Sequence, residues 1–411
     1  MSISIRDHGA LPTPGLDNTA YIQAAINAAA ISPDTRTLII PPGIFETARV
    51  TVPTGVKIVW DGGTLKHRVA AATEACVETV GADVILRDAK IDGNRPNQTV
   101  PCFGVLVKGD RVHIDNPTVF NTSDTGILVA GGVGHRLAWP RVRDTGKNGI
   151  GFTKPGSLIV ATDFAIVGAQ IERTNDGGIG VMGQNFAVVA STTRDTGGDG
   201  ITAYADENGQ YVITGNALDG IGNNGIHSAG SNAVVAANAI RNAISRGIYH
   251  EAQLQSLQDN VVLAVNAITG TGLAGLEAWP CLSLAVVANA ITGAGSDAYD
   301  IRRADALALV GNVAGRPLGC GYVIRATRHM TVAGNAGTGT GSDLIRVADG
   351  ALTPASQNGF FAANVGNGIA GKALNIADGG SWLTEFGTTP GVTAADPFIM
   401  GGPTNRRLMA I

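Results

Sequence analysis

Residues 264–302 read AVNAITGTGLAGLEAWPCLSLAVVANAITGAGSDAYDIR. The pentapeptide Asn-Ala-Ile-Thr-Gly opens at Asn266 and again at Asn289, a step of 23 residues, and Gly275-Leu-Glu is answered at the same step by Ala298-Tyr-Asp. Extended in both directions, the asparagine column takes in Asn216, Asn238, Asn266, Asn289, Asn312, Asn335 and Asn364. A second column runs through Gly126, Gly149, Gly178, Gly200, Gly225, Gly247 and Gly275, continues as Ala298, returns as Gly321 and becomes Leu344. Two columns that keep the same spacing, with short alternating segments between them, define a coil repeat of about 23 residues, the signature of a parallel β-helix. Asparagines stacked at one corner of such a coil satisfy one another and the turn backbone, so their role reads as structural.

Composition agrees. The 411 residues include 57 glycines and are 44% apolar but only 15% charged and 5% aromatic, which favours many short strands over long helices. A net charge of −4 and the lack of a basic tract argue against a nucleic-acid partner. Cys76, Cys102, Cys281 and Cys320 follow no CxxC spacing and read as buried thiols. No apolar run reaches the roughly 18 residues of a membrane span, and the N-terminus has no signal-peptide pattern, so the chain as given reads as soluble with its compartment open.

The opening, IRDHGALPTPGLDNTAYIQAAINAAA followed by TLIIPPGIFET and VTVPTGVKIVWDGGTL, resembles that of pectate-lyase-like right-handed parallel β-helix proteins. The resemblance implies an all-β, single-stranded right-handed parallel β-helix with a short N-terminal capping helix. Locally, Asp17 or Thr19 is placed to cap a helix with Ile22, Ala25 and Ile26 on its apolar face, and Pro41-Pro42-Gly43 ends a strand. The expected organisation is a cap over residues 1–35, a β-helix over 36–378 and a tail or cap over 379–411. The superfamily spans glycoside hydrolases, lyases, transferases, epimerases and phage tailspikes, so it implies a polysaccharide or oligosaccharide partner without naming a reaction. By analogy with relatives of this shape a homotrimer is expected, with Leu128 and Met182 as outward apolar contacts.

Side chains alternate along a strand. After each column residue the first and third positions are nearly all apolar and belong inside, which sends the second and fourth outward. The outward positions are bland in the early coils and reactive later: Tyr204, His227, Tyr249, Glu251, Glu277, Trp279, Asp300, Arg302 and Arg325 share one expected wall, with Arg246 and Asp199 at its rim. His250 points inward and reads as a core histidine bonded to a backbone group.

Coils stack at about 4.8 Å, so Glu277 and Asp300 are expected about 5 Å apart and Glu251 about 8 Å from Glu277, spacings that suit the two carboxylates of glycosidic cleavage. Like charges so crowded favour a proton staying on one of them. Catalysis is therefore expected from Glu277, Asp300, Glu251, Tyr249 and His227, and substrate binding from Trp279, Tyr204, Arg302, Arg325, Arg246 and Asp199. Three other uses of the same wall stand beside hydrolysis or glycosyl transfer. One is elimination or epimerisation of a uronate polymer, in which Arg302 or Arg325 neutralises the carboxylate and Tyr249 or His227 moves the proton. Another is glycan binding without catalysis, as in a tailspike or adhesin. The third is an arginine–carboxylate ladder of purely structural purpose. No cofactor is expected, with Ca²⁺ as the one cation that clustered carboxylates would suit.

Overall fold

A computed structural model of the chain describes residues 2–33, 35–152, 161–205, 209–251, 260–348, 357–376, 382–385, 398–400 and 406–409. Thr153, the fourth position after column residue Gly149 and so expected outward, and most of the segment 379–411 lie outside these. The chain forms a right-handed parallel β-helix and divides into two compact units, residues 1–202 and 203–411.

In the first unit, a helix over Thr19–Ile31 turns Ile22, Ala25, Ile26 and Ala29 inward. Asp17 Oδ1 accepts the backbone N–H of Thr19 at 3.0 Å, satisfying one donor of the free helix end. The strand Thr37–Ile40 follows, then Pro41-Pro42 and a second strand from Gly43. Gly43 has φ of +137°, and a Cβ there would stand 2.7 Å from Cβ of Pro12, so this turn admits glycine alone.

In the second unit each coil lays down three strands. Ile226–Ala229, Ala233–Ala236 and Ala239–Ala243 are one such set, and each pairs in parallel with its counterpart in the next coil. The three resulting sheets are called here the first, second and third walls. Between the second and third walls a residue in the left-handed region turns the chain, Ala237 at φ 55° and Val265 at 56° for example, and the asparagine column follows it. Asn266 receives Nδ2 of Asn238 on its Oδ1 at 3.0 Å and donates its own Nδ2 to Asn289 Oδ1 at 2.9 Å. The chain of amides runs from Asn216 to Asn364. Every member is buried, so the ladder removes the cost of leaving these corner amides and N–H groups unpaired.

The glycine column is explained by approach distance. A Cβ on Gly275 would meet Cγ2 of Ile291 on the third wall at 2.3 Å. Along that file of the third wall, Ile291 pairs with Ala314, then Gly337, then Gly366. Where the facing residue shrinks to Ala314 the column tolerates Ala298, and where it shrinks to glycine Leu344 reaches into the space above Gly337 and Gly366. The column breaks its rule only where the opposite wall makes room. Beyond the last regular coil, the strands Phe398–Met400 and Arg406–Met409 still pair in parallel, with Leu374–Ile376 and Trp382–Glu385 respectively.

Candidate functional site

The first wall of the second unit carries the expected register. Ile226, Ile248, Leu276, Tyr299 and Tyr322 are fully buried, while His227, Tyr249, Glu277 and Asp300 occupy one outward file, each the strand partner of the next. Glu251 is the partner of Trp279 one file over, and Arg302 of Arg325.

Two linked groups form on this wall. In the first, Tyr204 Oη stands 3.0 Å from Nδ1 of His227, and His227 Nε2 stands 2.8 Å from Oε1 of Glu251. With Nε2 donating to the Glu251 carboxylate, Nδ1 is left to accept from the tyrosine, whose hydroxyl also lies 3.3 Å from Nε2. Tyr249 lies against the His227 ring at 4.9 Å between centroids. Burial, with Glu251 and then Glu277 adding to it, pushes its phenol up to about 12, so Tyr249 keeps its proton at any ordinary pH.

The second group corrects an expectation. Glu277 and Asp300 do point outward, but they do not face open solvent: their side chains are only 8% and 5% exposed, roofed by arginines. Arg246 Nε donates to Glu277 Oε2 at 2.5 Å, and the same guanidinium lies 4.5 Å over the Tyr249 ring, joining the two groups. Arg302 binds Asp300 through Nε and Nη2 and approaches Glu277 Oε1 at 3.6 Å. Arg325 is held more loosely. Its Nε is 3.6 Å from Asp300 Oδ1, too far for a hydrogen bond, and neither atom has another hydrogen-bond partner among the described residues. The indole N–H of Trp279 likewise finds no acceptor among them. Arg346 belongs elsewhere, donating to Asp343 at 3.2 Å.

His250 faces inward as expected, but its partner is a side chain, the Ser228 hydroxyl at 3.0 Å from Nδ1, and its Nε2 is unpaired among the described residues. Burial pushes its pKa down to about 3. Asp199 belongs to the first unit, where it accepts the Thr202 hydroxyl at 3.0 Å.

Sequence reasoning missed Asp297. It precedes column residue Ala298 as Arg246 precedes Gly247, so the same offset that singled out Arg246 finds it once Ala298 is accepted as a column member. Its Oδ1 accepts the Cys320 N–H at 2.7 Å. Burial raises its pKa and the charge of Asp300 adds to this, against the Cys320 hydrogen bond, Arg325 and Arg346. The carboxyl whose pKa is raised thus belongs to a turn residue near Asp300.

Among the described residues no cluster of three or more His, Cys, Asp or Glu is arranged for a metal. Glu277 and Asp300 lie against guanidinium groups, whose charge opposes a cation. Among the described residues no helix is long and apolar enough to cross a membrane.

No protein-family model matches the sequence, and no curated protein matches it. The fold does have solved counterparts. The A-module of the Azotobacter vinelandii mannuronan C-5 epimerase AlgE6 aligns over 94% of this chain and 99% of its own, at 16% identity and a TM-score of 0.53. Tailspike protein 3 of bacteriophage CBA120 aligns over 93% of this chain and 61% of its own, at 10% identity and 0.59. The catalytic unit of the GH87 alpha-1,3-glucanase of Streptomyces thermodiastaticus covers 98% and 71%, at 16% and 0.50. At these identities the likeness establishes the right-handed parallel β-helix and nothing finer.

Proposed function

We propose that this protein acts on a polysaccharide laid along the first wall of the second unit, and that its chemistry is proton transfer on a uronate residue, by elimination or epimerisation. The observation that carries the reading is the Tyr204–His227–Glu251 relay standing beside Tyr249 and a row of arginines. Glycosidic cleavage by Glu277 and Asp300 needs carboxylates that reach the sugar, and these two are roofed and ion-paired.

Arg325, the least engaged guanidinium, receives the substrate carboxylate and offsets the negative charge that develops when the neighbouring carbon loses its proton. Tyr204 takes that proton as its own hydroxyl proton passes to Nδ1 of His227, and Glu251, a positioning residue, stabilises the imidazolium. Tyr249 donates its proton to the departing glycosidic oxygen in elimination, or to the opposite face of the carbon in epimerisation. Trp279 offers a flat apolar face to a sugar ring. The epimerase, glucanase and tailspike named above, proteins of the same fold, support a carbohydrate partner by analogy.

A second reading has one observation of its own. Asp297, whose pKa burial raises above that of an ordinary aspartate, shifts in the direction that a hydrolytic acid requires. Incubation with acidic and neutral polysaccharides, reading ultraviolet absorbance and reducing ends together, separates the two. Elimination gives an absorbing unsaturated product and hydrolysis gives reducing ends alone; epimerisation gives neither but exchanges the hydrogen beside the carboxylate for deuterium in D₂O, which a glycan-binding protein does not.

A further inference from the structure

In the first unit, Trp139 links the strands Arg136–Ala138 and Arg141–Thr145 with its backbone in the left-handed region, at φ 56°. Asp88, Asn116, Trp139 and Gly168 occupy the same corner in successive coils, each donating its backbone N–H to the residue just before the next corner. Positive φ recurs at Asp88, Asn116, Gly168 and Ala190. Left-handed backbone crowds a Cβ and suits glycine, asparagine and aspartate, so a bulky indole at this position answers no need of the turn.

The core does not use it either. Trp60, a strand residue, is 3% exposed, whereas Trp139 is 57% exposed. The ring is nonetheless held in place. A Cβ on Gly168 would fall 2.9 Å from Cδ2 of Trp139 and closer still to Cε3 and Cζ3, so the benzene half of the indole rests on the glycine of the next coil. Any side chain at Gly168 would lift the ring away.

Just past the corner, Arg141 and Gln170 are strand partners and both are exposed. Neither side chain makes a hydrogen bond or ion pair among the described residues. A seated, open aromatic ring with free hydrogen-bonding groups at its edge matches the two-sided chemistry of a pyranose. The C–H face of the sugar packs on the indole, and its hydroxyl or carboxylate oxygens pair with the guanidinium and amide. A protein partner would ask for a contiguous apolar patch. Around Trp139 the exposed positions are instead Arg136, Arg141 and Gln170.

We infer that Trp139, Arg141 and Gln170 form a second glycan-binding site, built from none of the residues of the candidate site, that takes one sugar ring of a polysaccharide. Trp139 is its stacking platform, Gly168 seats that platform, and Arg141 and Gln170 supply the polar contacts. The inference holds whichever reaction the first wall of the second unit performs.

The experiment follows the indole N–H signals of the isotope-labelled full chain by NMR, with cellohexaose as the neutral probe and hexagalacturonate as the acidic one. The chain has four tryptophans, and the Trp139 signal is the one that Trp139→Asn deletes. Asparagine suits this corner, as at Asn116, so the variant is expected to fold with an unchanged circular dichroism spectrum. Trp139→Gly, which matches Gly168, serves the same assignment should it not. The Trp139 signal is expected to shift with at least one hexamer, saturating at millimolar concentration or below. Arg141→Ala combined with Gln170→Ala keeps that signal in view and is expected to weaken the binding it reports by about tenfold. A Trp139 signal that neither hexamer moves, a shift at Trp279 without one at Trp139, or binding unaffected in the folded double variant overturns the inference. A shift at Trp139 with Trp279 unmoved supports it and counts against the candidate site instead.

Discussion

Arg246 and Glu277, 31 residues apart in sequence, meet at 2.5 Å on the outer wall of the second unit, with the Arg246 guanidinium simultaneously stacked 4.5 Å over Tyr249. This contact ties the carboxylates to the tyrosine–histidine relay and gives the two groups different expected weights. Glu277→Gln keeps a hydrogen-bond acceptor beneath Arg246 and is expected to lower activity by no more than about tenfold, mainly through KM. Tyr204→Phe and Tyr249→Phe each remove a proton-transferring hydroxyl and are expected to lower kcat by about 10²–10⁴. Steady-state kinetics of the three variants on a polyuronate checks the ranking.

The same relay predicts a pH response. Because Tyr249 titrates only near 12, the acid form it must supply persists through the neutral and mildly alkaline range. The pH–rate profile between 6 and 10 is expected to have no alkaline limb that Tyr249→Phe removes. Profiles of kcat for wild type and variant, measured side by side, test this.

Stability has its own pH signature in His250. Its folded pKa lies near 3, below the ordinary 6.5, so as pH falls below 6.5 the unfolded chain takes up a proton that the folded chain refuses. Stability is therefore lost between pH 6.5 and about 3, at up to about 1.4 kcal/mol per pH unit. His67 and His135, also lowered by burial, act with the same sign. Urea midpoints at pH 7, 5 and 4 are expected to fall less steeply in His250→Leu than in wild type.

The interlock between column and third wall yields a double-mutant test. Gly275→Ala drives a methyl into Ile291 and is expected to cost about 1–3 kcal/mol by overpacking. Adding Ile291→Ala reproduces the Ala298–Ala314 arrangement that the chain already uses, and the double variant is expected to recover part of the loss that Ile291→Ala alone inflicts. A strictly additive cycle in chemical denaturation would contradict the interlock.

These elements differ in how far the sequence reveals them. The asparagine and glycine columns are legible because their cause is repeated at every coil, an amide that must meet its neighbour and a Cβ that would strike the facing isoleucine. The outward file from His227 to Asp300 is legible for the same reason, since alternation fixes it. What covers that file is not. Arg246 comes from a turn and Arg302 from the end of Asp300's own strand, and only the rotamers of long side chains decide that they fold over Glu277 and Asp300 instead of extending into solvent. Asp297 was hidden by the substitution of alanine for glycine beside it, and the Ser228–His250 bond by the usual preference of a buried histidine for a backbone partner.

Proton transfer at the carbon beside a uronate carboxylate is the step that elimination and epimerisation share and hydrolysis lacks. The direct measurement is incubation of a polyuronate with the protein in D₂O, followed by mass or NMR analysis of recovered polymer and products. Deuterium at that carbon, or an unsaturated product formed by its deprotonation, is expected with wild type and is expected to disappear with Tyr204→Phe. New reducing ends with neither deuterium nor unsaturation would contradict the account.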